Sequence, residues 1–155
     1  MGSGDQEIRL AGYDDLRAIL ACVRAAYAKY RRRMDREPAP TTADYPGLIA
    51  RGVVHVLPES ITGDLRGLIV LWPENGAMFV DNVAVAPRYQ GQGVGRRLMA
   101  FADEQARAAG LPELRLYTNE VMTENLAFYS RLGFEETDRH IDEGYRRVFL
   151  HKVLD

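Results

Sequence analysis

Three glycines alternate with larger residues in Gln90-Gly91-Gln92-Gly93-Val94-Gly95-Arg96. Glycine loses more conformational freedom on folding than any other residue, so three this close together ask for a reason. The segment follows an apolar, β-branched run and precedes an amphipathic one, which places it between a buried strand and a helix N-terminus. There the N–H groups of the first helical turn have no carbonyl partners. A chain without Cβ atoms also lets a ligand approach closely. A phosphate or pyrophosphate would satisfy those donors and meet the positive end of the helix dipole. The competing reading is a tight turn with unusual torsions, for which one glycine suffices. Two nucleotide loops fail on spacing. Counted from Gly91, the second glycine of a Walker-type loop and the third of a dinucleotide fingerprint both fall on Arg96, and no lysine follows.

The wider run VDNVAVAPRYQGQGVGRRLM carries Gln90, Gly93 and Gly95 at the spacing Gln/Arg-x-x-Gly-x-Gly/Ala. It resembles the signature of the GNAT superfamily of N-acetyltransferases. A second element of that family is a strand, an asparagine, a helix bearing tyrosine, then Gly-Phe. LRLYTNEVMTENLAFYSRLGF is similar to it, with Asn125, Tyr129, Gly133 and Phe134 at those places. Together the two elements run from about Met78 to Glu135.

The resemblance implies acetyl-CoA as co-substrate, without a metal. It places the pyrophosphate on the glycine loop, on backbone N–H groups of about Gln92, Gly93, Val94, Gly95 and Arg96, with Gln90 and Gly91 also in the cofactor-binding loop. It places the pantetheine arm along Val83, Ala84 and Val85, with Asn125 contacting the arm. The strands Ala77–Ala86 and Leu114–Thr118 are then expected to splay and admit it. The implied reaction is direct attack of a primary amine on the thioester in a ternary complex. A backbone N–H near Val85 would serve the oxyanion and Tyr129 would protonate the leaving thiolate. Tyr129 is otherwise a packed aromatic. Asp81 is the candidate base, four residues before Val85 and on its face if the strand is regular; otherwise it is a structural carboxylate. Glu120 is a second carboxylate candidate. Tyr27 and Tyr30 are candidate walls of the acceptor site, where rings could hold a cationic amine, or they are packing. The partner is a small-molecule or peptide amine, and homodimers are common in the family. The alternative function is an acyl-CoA-binding module that does not catalyse.

The elements that must position these residues follow from periodicity. A short strand is expected at Glu7–Leu10, then a helix from Asp14 with apolar residues at Leu16, Ile19, Leu20, Val23, Tyr27 and Tyr30, ending in Arg31-Arg32-Arg33. Thr42–Arg51 reads as a second helix. Strands follow at Val53–Leu57, Leu65–Trp72 and Ala77–Ala86, with a turn at Pro73–Gly76. AMFVDNVAVA is apolar on both faces and reads as a central, doubly buried strand. A helix over Val94–Ala109 buries Leu98, Phe101, Ala102 and Ala106. A strand at Leu114–Thr118, a helix capped by Thr123 and ending at Leu132, and strands at Phe134–Ile141 and Tyr145–Val153 complete the order βααβββαβαββ. The fold class is α/β: a single mixed, mostly antiparallel central sheet flanked by helices on both faces.

Composition narrows the function classes. The chain has 155 residues, which suits one domain over 1–155, with residues 1–5 expected to be flexible. Hydrophobic residues are 46% and charged residues 27%, ordinary for a globular protein. A formal charge of −2 offers no bulk positive field for nucleic acid or an acidic membrane. The single cysteine, Cys22, fits a reducing cytoplasm, and the three histidines show no metal-ligand spacing. No apolar run is long enough to span a bilayer, and the N-terminus lacks the basic and apolar regions of a signal peptide.

Overall fold

The computed structural model describes residues 7–60 and 62–155, so the expectation for residues 1–5 lies outside the described residues. The regular elements are β1 (Arg9–Leu10), α1 (Leu16–Tyr27), α2 (Tyr45–Ala50), β2 (Val54–Pro58), β3 (Leu65–Glu74) and β4 (Ala77–Val85). They continue with α3 (Val94–Ala108), β5 (Glu113–Asn119), α4 (Thr123–Arg131), β6 (Glu135–Asp142) and β7 (Tyr145–Val153). The seven strands form one sheet in the order β1-β2-β3-β4-β5-β7-β6. The β4–β5 pair is parallel; β1–β2, β2–β3, β5–β7 and β6–β7 are antiparallel. A mixed, mostly antiparallel sheet with flanking helices is what the order of elements implied.

Several boundaries differ from the sequence reading for local reasons. The first helix ends at Tyr27, and Ala28–Arg33 continue as a tighter 3₁₀ helix, so the three arginines do not close an α-helix. Thr42 lies in a separate 3₁₀ turn. The second helix starts at Tyr45, where the Asp44 carboxylate accepts the Gly47 N–H at 3.2 Å and Pro46 presets the first turn. Pro73 is inside β3, and the turn is Asn75-Gly76, with the two positive φ angles (50° and 81°) of a two-residue hairpin connection. Thr123 is the first residue of α4 rather than its cap.

The largest difference concerns β4. Met78, Val80, Asn82 and Ala84 are buried, whereas Phe79, Asp81, Val83 and Val85 are only half-buried. The strand therefore has one core face and one accessible face, not two buried ones.

The residues group into two compact units. One is the chain up to Leu71 with Asn82–Phe101; the other is Trp72–Asp81 with Ala102–Asp155. In the first, Ile19 and Val23 of α1, Val54 and Val56 of β2, Leu68, Ile69 and Val70 of β3, and Leu98 of α3 are almost wholly buried. Gly67 sets how close these parts can come. A Cβ there would lie 2.7 Å from the Ala84 carbonyl oxygen, 3.0 Å from Leu98 Cδ1 and 3.1 Å from Val94 Cγ1. In the second unit, Leu116 faces Leu150 and Thr118 faces Val148 across the β5–β7 ladder, and all four are buried. Ala102 and Ala106 of α3 are buried there too.

Because the Ala84 carbonyl belongs to a strand and cannot swing aside, Gly67→Ala should lower unfolding stability by about 1–3 kcal/mol. Urea denaturation checks this, and an unchanged midpoint would contradict the packing argument.

Candidate functional site

The glycine segment is a short loop between β4 and α3, held to itself by glutamine side chains. After the Pro87–Tyr89 3₁₀ turn, Gln90 Nε2 donates to the Val85 carbonyl at 3.1 Å and Gln92 Nε2 to the Arg88 carbonyl at 3.1 Å. Gly91 (φ 78°) and Gly93 (φ 84°) adopt left-handed torsions, and nothing lies within 4 Å of where their Cβ atoms would be. These two glycines answer both demands, torsion and open space. Gly95 is different, because it sits in the first turn of α3 without a positive φ. The Arg97 N–H donates to the Gly93 carbonyl at 3.0 Å. The N–H groups of Val94, Gly95 and Arg96 precede that bond and have no carbonyl in their own helix. The loop thus combines an approachable backbone with helix-start donors, an arrangement that suits a phosphate.

In the same unit, the β4 residues beyond Asp81 are tied down through Asn82. The Tyr27 hydroxyl lies 2.6 Å from Asn82 Oδ1 and 3.1 Å from the Val83 carbonyl. Its single proton serves these two acceptors. Asn82 Nδ2 donates to the Tyr45 hydroxyl at 2.9 Å, and Tyr45 donates to the Pro40 carbonyl at 2.6 Å. Asn82, Tyr27 and Tyr45 are all buried. This network links α1, the 38–45 segment and β4. Tyr30 is also buried, its ring centroid 6.1 Å from that of Tyr27, with the Lys29 and Arg33 cations 5.1 and 5.2 Å from its centroid. The structure therefore places both tyrosines in packed positions, Tyr27 with its hydroxyl on the cofactor-strand candidate Val83. Cys22 is buried, and burial pushes its thiol up to about 12, which leaves it protonated and unreactive at neutral pH.

In the other unit, the β4–β5 ladder pairs Met78 with Leu114, Phe79 with Arg115 and Val80 with Leu116, and its register ends there although both strands continue. Asp81 follows directly, on the same face as Phe79. Burial raises the Tyr117 phenol above its usual range; the Arg147 charge opposes this and the Asp81 charge adds to it. Asn125 Nδ2 donates to Thr118 Oγ1 at 3.4 Å and approaches Met122 Sδ at 3.7 Å. Tyr129 is buried near the end of α4, with ring centroids 5.2 Å from Phe128 and 5.5 Å from Phe134. Glu120 is engaged by Arg139 and Arg146, each at 3.4 Å.

Among the described residues no group of histidine, cysteine, aspartate or glutamate side chains could hold a metal ion. No helix among them is long and apolar enough to cross a membrane. Asn82 and Gly67 were not singled out from the sequence. The one signal for Asn82 was a polar residue at an inward position of an apolar strand.

A family model described as acetyltransferase (GNAT) domain matches residues 50–136, more than half of the chain. An S-alkylcysteine N-acetyltransferase of Bacillus subtilis is 29% identical over 97% of this chain and 90% of its own length. A mycothiol acetyltransferase of Jonesia denitrificans is 34% identical over 56% of this chain, and the match spans only 28% of that longer protein. Among solved structures, the PaiA N-acetyltransferase from Thermoplasma acidophilum in complex with coenzyme A superposes with a TM-score of 0.79 at 18% identity, covering 96% of this chain and 98% of that one. At that identity the likeness is one of fold.

Tyr27→Phe removes the closest donor to buried Asn82 Oδ1 and should cost about 1–3 kcal/mol of stability. Chemical denaturation measures it; a variant as stable as the parent would show that the network does not hold β4 in place.

Proposed function

This chain belongs to the GNAT acetyltransferase family, and we propose that it transfers an acetyl group from acetyl-CoA to a primary amine of a small molecule or peptide. The observation that carries the reading is the loop of Gly91 and Gly93 opening into α3. Left-handed, uncrowded backbone and helix-start N–H groups fit a pyrophosphate. The fold likeness to a protein solved with coenzyme A supports the same choice of co-substrate. The Bacillus relative, named for N-acetylation of an amino acid, supports an amine acceptor.

The roles are those that the family resemblance implies for acyl transfer from a thioester. Gln90 to Arg96 hold the pyrophosphate through their backbone, Val83 to Val85 pair with the pantetheine amides, and Asn125 contacts the arm. The neutral amine nitrogen attacks the carbonyl carbon, and the N–C bond forms as the C–S bond breaks. A backbone N–H near Val85 donates to the oxygen as it gains charge. Tyr129 gives its phenolic proton to the departing sulfur, Asp81 takes the proton lost by the amine, and solvent restores both. Tyr27 enters by fixing the Val83 carbonyl and Asn82.

Free thiol released from acetyl-CoA against a panel of amines tests the proposal. Release should require protein and amine together and match the acetylated amine one for one. Tight coenzyme A binding without release under any amine would instead support a binding module. Within an active preparation, Tyr129→Phe should lower kcat by about 100-fold and leave the KM for acetyl-CoA nearly unchanged; unaltered turnover would take Tyr129 out of the mechanism. Asp81→Asn should lower kcat by about 100-fold and change the pH–rate profile, whereas normal turnover with an unchanged profile would assign the base elsewhere.

A further inference from the structure

One face of the second unit carries a row of rings that crosses the sheet. Centroids step from Trp72 to Phe79 (5.4 Å), to Tyr117 (5.6 Å), to Phe149 (5.6 Å), and from Phe149 to stacked His140 (4.7 Å). The register explains the row. Phe79 stands beside Arg115 on the β4–β5 ladder, Tyr117 faces Phe149 on the β5–β7 ladder, and β6 lies beyond β7. Cross-strand ring pairs stabilise a sheet by themselves, so the row alone would be packing. Here, however, three of its rings, Phe79, Tyr117 and Phe149, line an open groove of about 560 Å³ and remain half-buried.

The walls of the groove have a charge bias. Glu74, Glu113 and Asp142 line it, against Arg115 and His151, which both pair with Glu113 (3.0 and 3.2 Å). Asp81 adds a carboxylate on the Phe79 face of β4. The face already holds a cation. The guanidinium of buried Arg147 lies 4.1 Å from the Tyr117 centroid and pairs with Asp142 (2.6 Å) and Glu143 (3.0 Å). Arg147 thereby anchors the β6–β7 turn at that end of the groove. Rings below and carboxylates around suit an organic cation with a flat, apolar body, through area burial and cation–π attraction. They disfavour an anion.

We propose that this groove binds the body of the acceptor, and that the acceptor is an arylalkylamine: its ring lies on the Phe79–Tyr117–Phe149 strip and its nitrogen points toward Asp81. The inference rests on the reading of the chain as an amine acetyltransferase, and it adds the substrate class. Specificity then resides in Phe79, Phe149 and the surrounding carboxylates.

The test is calorimetric titration of the full chain, saturated with coenzyme A so that no turnover occurs, with 2-phenylethylamine, n-propylamine and 3-phenylpropionate. 2-Phenylethylamine should bind about ten-fold or more tightly than either comparator, since burying a phenyl ring is worth at least that factor. Phe149→Ala should weaken it about five-fold or more, and Phe149→Leu, which keeps a core-sized side chain, should weaken it less while leaving coenzyme A affinity as it was. Equal affinity for propylamine, equal affinity for phenylpropionate, or indifference to both Phe149 variants would overturn the proposal. So would a stable dimer in sedimentation that Phe149→Asp dissociates, because a second copy would then be the occupant. Amine binding without acetyl transfer would count against the enzymatic reading and leave the groove standing. Transfer to alkyl and arylalkyl amines alike would do the reverse.

Discussion

The alternation of side chains along β4 is the constraint on which the other features depend. A strand turns successive residues to opposite faces. Burying Met78, Val80, Asn82 and Ala84 therefore commits Phe79, Asp81, Val83 and Val85 to the accessible face. A slip of one residue would bury Asp81 and expose the core set. Asn82 makes such a slip costly, because its amide is satisfied only where Tyr27 and Tyr45 wait for it. The buried amide is thus a register lock on the strand whose outer face carries the candidate chemistry.

Backbone shape does for the loop what side-chain alternation does for the strand. Gly91 and Gly93 permit torsions that few other residues adopt, and they leave the space above them open. Their effect is to deliver the chain into α3, whose first N–H groups have no carbonyl in their own helix. Gly67 acts in the opposite sense: its missing side chain is filled by the Ala84 carbonyl and by Val94 and Leu98, so it serves close packing rather than a ligand. The same residue type thus has two physical uses within one compact unit.

Much of this was legible in the residues. The order of elements and the glycine loop follow from patterns that repeat at period 2 or 3.6, or from glycine spacing, and those signals are local; Asn125 and Tyr129 stood out only through the family resemblance. What the sequence concealed was non-local. AMFVDNVAVA reads as apolar throughout, and only the neighbours of β4 show that one face is half-open. Asn82 looks like an intrusion until Tyr27 and Tyr45, far away in the chain, supply its partners. Gly67 looks like a weak strand residue until Ala84 is beside it. Thr123 has the composition of a cap, but the helix simply begins with it, and its hydroxyl donates to the neighbouring Glu124 at 3.2 Å. The ring row is likewise invisible, since Trp72, Phe79, Tyr117 and Phe149 come from four strands.

The central claim is that the backbone from Gly91 to Arg96 receives the phosphates of coenzyme A. Backbone amide NMR during a titration with coenzyme A addresses it most directly, with ATP and NAD as controls. The account predicts large shifts and slowed exchange at Gly91, Gly93, Val94, Gly95 and Arg96 with coenzyme A, and little response to the other two at equal concentration. Silent loop amides in the presence of saturating coenzyme A, or the same response to ATP and NAD, would contradict it.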